Sequence, residues 1–268
     1  MNPIDGRRFL ESQSLAPVQA VGFAQLPAAD PVPVAGVTPF TTIDYPEAMS
    51  AVLFLQGCPW KCPYCHNESL QPMCEGKMKS AISWQKVRAF LEEHQGLLDA
   101  IVFSGGEPTI HRGLMQAMLE VRSHGFKVGL HTNGAFPGHV QRLADEELLD
   151  WVGLDVKAPR WLYAQAAGVK TTAAATYETL RVLLQAGIPV DARTTVYRPL
   201  LDDEEILRLA RELRELGARR LFLQSWRPKH DPGQWVATED LTLLQADVDA
   251  ILGYPVEAFA ERDLRKAA

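Results

Sequence analysis

The sequence predicts an α/β fold: an incomplete (β/α)6 TIM-like barrel of parallel strands with outer helices. Three observations predict it. Short β-rich runs alternate with amphipathic stretches from Val37 onward, the pattern of parallel strands joined by crossover helices. The strand–helix units number six, where a closed barrel has eight in about 250 residues. The composition, 47% hydrophobic and 22% charged, is that of a globular chain, and 268 residues suffice for a substantial core.

The elements follow in order. The first strand is Ala51–Gln56, and a helical stretch follows near 83–98. Ala100–Phe103 leads to a helix near 110–124, and Lys127–His131 to one near 138–149. Trp151–Val156 precedes a helix near 174–186, Val190–Val196 one near 203–217, and Arg220–Gln224 one near 239–252. The stretch 203–217 shows the basis of these assignments. Asp202, Asp203, Glu204 and Glu205 stand at its start, and Arg211, Arg214 and Arg219 gather toward its end, as the helix dipole favours. Leu207, Leu209, Ala210, Leu213 and Leu216 supply its apolar face. Periodicity alone does not separate a partial barrel from a doubly wound sheet. In both, the strand C-terminal ends carry the site.

Residues 1–35 are rich in Ala, Pro, Gln and Val and keep no period, so they read as an extended, partly disordered arm before a core domain over 36–268. A net charge of −6 speaks against a broad grip on nucleic acid or anionic lipid. No apolar run approaches the ~20 residues of a membrane span. Arg7-Arg8-Phe9-Leu10 has the start of a twin-arginine export signal, but Glu11, Gln13 and Gln19 interrupt any apolar segment, so the expected location is the cytoplasm.

The four cysteines, Cys58, Cys62, Cys65 and Cys74, all fall between positions 58 and 74. A disulfide framework would spread them. Clustering points to a metal site in a reducing compartment. Cys58-Pro-Trp-Lys-Cys62-Pro-Tyr-Cys65 has the spacing C-x3-C-x2-C and follows directly on the first strand. Thiolates are soft ligands for iron–sulfur clusters and zinc. Structural zinc would need a fourth ligand, from His66 or Cys74. Three thiolates on a cubane leave one iron open to an outside ligand. Cys74 itself, outside the motif, reads as a surface or half-buried thiol.

Further polar residues stand at later strand ends. Ile101-Val-Phe-Ser-Gly-Gly-Glu-Pro108 ends in Gly105 and Gly106, which let a ligand approach the backbone, and Glu107, whose carboxylate suits a cationic group. His131 and Asn133 share one strand face, as do Asp155 and Lys157. A charged pair on a buried strand asks for a partner or a task, although a purely structural Asp–Lys pair accounts for it too. Arg193 and Thr195 are possible site walls, with Gln224, Ser225 and Trp226 beyond them. Trp226 and Trp235 read first as packing residues.

The cysteine spacing after a first strand, with the aromatic Tyr64 before the third cysteine, resembles the radical S-adenosylmethionine enzymes. The likeness extends through Gly36–Pro46, Gln56–Asn67, Phe103–Thr109, Gly129–Gly134 and Gly153–Lys157, and is similar to the anaerobic ribonucleoside-triphosphate reductase activating proteins among the glycyl-radical-enzyme activases. The resemblance implies one [4Fe–4S] cluster on Cys58, Cys62 and Cys65. It also implies S-adenosylmethionine bound near Tyr64, Gly105, Gly106, Glu107, His131, Asn133, Asp155 and Lys157, with the GGEP segment at the methionyl amino group. It implies cleavage to methionine and a 5′-deoxyadenosyl radical, a glycyl radical on a partner reductase, and a flavodoxin or ferredoxin-type electron donor. No G-x-G pair exists, so S-adenosylmethionine is not expected as a methyl donor on a Rossmann fold. Two other readings stay open: a radical enzyme acting on a small molecule, of deazapurine-synthase type, and a non-catalytic iron–sulfur or zinc module.

Overall fold

The computed structural model describes residues 30–73, 80–227 and 239–253. Most of the expected arm, together with Cys74 and Trp235, lies outside the described residues. Seven strands form one sheet: β1 (Val34–Thr41), β2 (Ser50–Leu55), β3 (Ala100–Gly105), β4 (Lys127–Thr132), β5 (Trp151–Asp155), β6 (Val190–Val196) and β7 (Leu221–Ser225). The strands from β2 to β7 are parallel, and each pairs with the one before it in sequence. That unbroken order decides between the two architectures. A doubly wound sheet reverses its strand order at a switch point. Here the direction never reverses, so right-handed crossovers place the helices on one face and the sheet curls around the other. β1 and β7 remain as its two edges, which makes the wall a partial barrel.

β1 departs from the sequence expectation, in which the first strand begins at Ala51. Residues 34–41 pair antiparallel with β2, with register shifts between Val34 and Gly36 and between Thr38 and Thr41. Pro39 has no N–H for a ladder, and it is tolerated because it sits in an edge strand at such a shift.

The helices are α1 (Trp84–Glu93), α2 (Leu114–Ser123), α3 (Pro137–Asp145), α4 (Tyr163–Ala167), α5 (Ala174–Gln185), α6 (Asp203–Glu215) and α7 (Thr242–Leu252). α4 was not among the expected stretches, because five residues are too few to display a period. α1 and α3 stop short of the expected 98 and 149; Gly96 and Glu147, with φ of 74° and 53°, turn the chain out of the helix there. α6 starts as its composition suggests: the Asp202 side chain accepts a hydrogen bond from Glu205 N–H at 2.9 Å. It buries Ile206, Leu209, Ala210 and Leu213, while Leu207 and Leu216 form the half-buried margin.

Strand alternation creates two faces with different chemistry. Leu53, Leu55, Ile101, Phe103, Val128, Leu130, Val152 and Leu154 point toward the helices and pack with them into the main core. Each such buried side chain contributes about 1.5–3 kcal/mol. On the concave face, Val52, Ala100, Val102 and Trp151 form a second, smaller cluster with Tyr45. Tyr45 comes from the β1–β2 connection and closes the N-terminal end of the half-barrel. Its ring lies 5.5 Å from Trp151, and Gly129 leaves room for it: a Cβ there would approach the Tyr45 ring to 3.0 Å. Toward the strand C-terminal ends the same face turns polar, with Ser104, His131, Asp155 and Arg193. Among the described residues no helix is long and apolar enough to cross a membrane.

Candidate functional site

The cysteine loop starts where β2 ends. Gly57 has φ 102°, and its N–H donates to the Leu70 carbonyl at 2.6 Å. Cys58 N–H donates to the Gln71 carbonyl at 3.1 Å and Lys61 N–H to the Ala167 carbonyl at 2.9 Å. The last contact ties the loop to α4. Gly168 caps that helix with φ 66°, and a Cβ there would come within 1.9 Å of the Lys61 carbonyl oxygen. Two aromatic anchors sit between the cysteines. Trp60 is buried edge-on to Tyr163 with ring centroids 5.8 Å apart, and Tyr64 is buried against Tyr197 at 5.4 Å. Tyr197 packs in turn on Trp226 at 5.0 Å, so Trp226 supports the site wall from behind.

Cys58, Cys62 and Cys65 are free thiols of intermediate exposure. Burial pushes the Cys58 thiol up to about 12 and raises Cys62 as well. Bare thiolates are therefore unfavourable here, so a metal centre that binds must displace their protons and supply the positive charge that stabilises them. Among the described residues no three His, Cys, Asp or Glu side chains gather closely enough to hold a single metal ion. Three thiols carried by one short loop form a soft donor set of the kind that iron–sulfur clusters and zinc both take.

The glycine pair packs against the root of the loop. Gly105, with φ 112°, lies so near β2 that a Cβ would be 2.3 Å from Leu55 N; a Cβ on Gly106 would be 2.1 Å from the Gly57 carbonyl oxygen. Gly106 N–H donates to the Leu55 carbonyl at 2.9 Å and Glu107 N–H to the Gly57 carbonyl at 2.8 Å. The end of β3 is thus pressed against the root of the cysteine loop. Glu107 has partners that the sequence did not show. Its carboxylate is fully buried and accepts from Thr109 N–H at 3.0 Å, Thr109 O–H at 2.5 Å, Thr132 O–H at 2.6 Å and Asn133 N–H at 2.7 Å. Burial raises its pKa, and these hydrogen bonds pull the other way. These donors tie the carboxylate to the Thr109 turn and to the end of β4.

A charged wall lies across the concave face. Lys157 Nζ is 3.1 Å from Asp155 Oδ2, and the Arg193 guanidinium is 3.1 Å from Asp155 Oδ1. Burial alone would raise the Asp155 carboxyl, but Lys157 and Arg193 overcome it and hold it at about 2. Burial lowers Lys157, yet Asp155, Cys62 and Tyr64 together keep it well above the ordinary range. Its ammonium is therefore a fixed positive charge close to the cysteine loop. His131 meets Ser104 Oγ at 3.2 Å through Nδ1, and the Asp44 carbonyl at 3.1 Å and Arg193 Nη1 at 3.2 Å through Nε2. Burial and the Arg193 charge push it down to about 3, so it is neutral. Gly153 makes this wall possible, because a Cβ there would be 2.7 Å from Arg193 Cζ.

The structure thus brings Cys58, Cys62, Tyr64, Glu107, Asn133, Asp155 and Lys157 into one connected region. Asn133 reaches Cys58 Sγ at 3.8 Å, and Lys157 acts electrostatically on Cys62 and Tyr64. Thr195 follows Arg193 on the same face of β6, in register with Gln224. Ser225 instead accepts from Glu239 N–H at 3.0 Å, away from the wall. Sequence reasoning missed Ser104, Thr132, Gly153 and Tyr163. Ser104 and Gly153 lie one and two residues from assigned positions, where strand alternation signals them; Tyr163 on the short α4 carried no signal. Among the described residues the buried Tyr64 hydroxyl has no hydrogen-bond partner. Beside Lys157 and Cys62, it is the kind of unmet group that a polar ligand satisfies.

The Radical SAM superfamily profile matches residues 52–200. A Methanocaldococcus jannaschii protein, provisionally named as a glycyl-radical enzyme activating enzyme, is 31% identical over 204 residues, covering 73% of this chain and 80% of its own. An S-adenosylmethionine-dependent nucleotide dehydratase from Selenomonas ruminantium is 28% identical over 169 residues, 59% of each chain. Among solved structures, Streptococcus suis SuiB bound to S-adenosylmethionine shares the fold, with a TM-score of 0.54 at 16% identity over 77% of this chain. This chain spans 46% of the SuiB chain. A profile covering more than half of the residues, on a partial barrel with the cysteine loop at its C-terminal mouth, makes this chain a member of the Radical SAM superfamily, whose cofactors are a [4Fe–4S] cluster and S-adenosylmethionine.

Proposed function

We propose that this chain carries its cluster on Cys58, Cys62 and Cys65 and installs a glycyl radical on an anaerobic ribonucleoside-triphosphate reductase. The observation that carries this reading is three half-buried thiols at the C-terminal mouth of an open half-barrel, two of which, Cys58 and Cys62, feel the fixed cation of Lys157. The name of the M. jannaschii relative supports the activase class. When bound, the cluster and S-adenosylmethionine supply one-electron reductive cleavage of the sulfonium.

The chain's own residues bind, orient and exclude water. Lys157 and Arg193 present positive charge to a ligand carboxylate, and Asp155 presents negative charge to a ligand amine or hydroxyl. His131 is neutral and, held by Ser104 and the Asp44 carbonyl, adds no charge to this wall. Glu107 locks the Thr109 turn and the Asn133 peptide beneath the ligand, with Gly105 and Gly106 joining that lock to the cysteine loop. Tyr64 supplies a buried hydroxyl that meets no hydrogen-bond partner among the described residues. Trp60 and Tyr163 seal the loop from solvent on the helix side. The open side admits the glycine-bearing loop of the reductase. Electrons come from a flavodoxin or ferredoxin-type protein.

The test is spin resonance. Reduced, reconstituted protein mixed with S-adenosylmethionine and the reductase should yield a glycine-centred doublet. The S. ruminantium relative favours a second reading, action on a small molecule such as a nucleotide. That reading predicts 5′-deoxyadenosine formation dependent on the small molecule, with no protein radical; this outcome would replace the activase reading.

A further inference from the structure

Asn133 follows directly on β4, and every polar group it has is engaged. Its N–H donates to Glu107 Oε2 at 2.7 Å. Its carbonyl accepts from Thr176 Oγ1 at 2.8 Å, and that hydroxyl accepts from Tyr163 O–H at 2.7 Å. Its side-chain Oδ1 accepts from Ala135 N–H at 2.9 Å. These three contacts fix both the main chain and the orientation of the amide. The remaining group, Nδ2, points to Cys58 Sγ at 3.8 Å. Turning the amide over would set two donors face to face at Ala135 and a carbonyl oxygen against the sulfur. The orientation is therefore over-determined. Asn133 is only 6% exposed, so water competes little for this contact.

We infer that Asn133 is a positioning residue that raises the reduction potential of the cluster by donating an N–H···S hydrogen bond to Cys58. The inference rests on the reading that Cys58, Cys62 and Cys65 hold that cluster. A donor to a cysteine sulfur favours the reduced, more negative cluster over the oxidised one. It also explains why Glu107 is buried and fully hydrogen-bonded. The glutamate of the Gly-Gly-Glu-Pro segment holds the Asn133 peptide, and Asn133 holds the sulfur, so two separate sequence motifs act as one device on the first cysteine.

The test is a spin-resonance redox titration of the reconstituted full chain without S-adenosylmethionine. It compares the wild type with Asn133→Ala, which removes the donor, and Asn133→Asp, which keeps the shape and the acceptor for Ala135 but sets a carboxylate oxygen against the sulfur. Iron per chain and thermal unfolding are recorded alongside. The expected result is a lower midpoint potential in both variants, lower in Asp than in Ala, read on whatever fraction is loaded. Loaded variants with the wild-type potential or a higher one would overturn the inference. So would loss of cluster uptake in both, which would assign Asn133 to assembly. A wild-type chain that builds no [4Fe–4S] cluster would instead defeat the underlying cysteine assignment.

Discussion

His131 shows how a single buried side chain couples the site to pH. Its folded pKa of about 3 lies below the 6.5 of a free imidazole, so the unfolded chain binds more protons between those values. The stability that His131 supports is fully present above 6.5 and is lost as the pH falls toward 3. Asp155 adds an acid limb of the same sign, because its pKa is held at about 2, below the 3.8 of a free carboxyl. His131→Asn should flatten the slope of unfolding free energy between about pH 6.5 and 5 by up to about 1.4 kcal/mol per pH unit, measured by urea unfolding. An unchanged slope would show that the folded and unfolded chains bind the His131 proton alike, so that burial does not depress it. The identity of such residues was legible in the sequence, and their partners were not. The cysteine spacing needs only local order, and the pairing of Asp155 with Lys157 needs only strand alternation. Glu107 was read as a carboxylate suited to a cationic group; its four protein donors come from the end of β4, the residue after it and the turn after β3, which only the fold brings together.

At the scale of elements, the cysteine loop is held mainly by its neighbours. α4 receives the Lys61 N–H through Ala167, and Gly168 lets the helix end touch the loop. Gly168→Ala combines a positive φ with a Cβ that has no room, and the loop is the part able to move. Iron uptake on reconstitution should fall several-fold, while the far-ultraviolet circular dichroism keeps its helix and strand signature. Normal iron uptake would mean that the loop does not depend on this contact. Neither α4 nor β1 was legible in the sequence. One is a single turn and a half, and the other carries a proline and two register shifts that hide its alternation. The six parallel strands were legible because strands covered on both faces read as apolar runs, and α6 because its acidic start and basic end agree with its apolar stripe.

At the scale of the whole molecule, sequential strand order matters most. It places every loop that follows a parallel strand at one end of a half-barrel, and so assembles residues from positions 58 to 195 into one site. Tyr45 and Trp151 close the opposite end, leaving the C-terminal mouth and the open flank as approaches. The account stands on three thiols holding a cluster with one iron open to S-adenosylmethionine. The most direct measurement is anaerobic reconstitution followed by reduction in the presence of S-adenosylmethionine, with iron, sulfide, methionine and 5′-deoxyadenosine all quantified. The account predicts a [4Fe–4S] complement of iron and sulfide and equal amounts of the two organic products, all lost when Cys58, Cys62 or Cys65 is replaced by Ala. Zinc in place of iron, or an intact cofactor beside a fully loaded and reduced cluster, would contradict it.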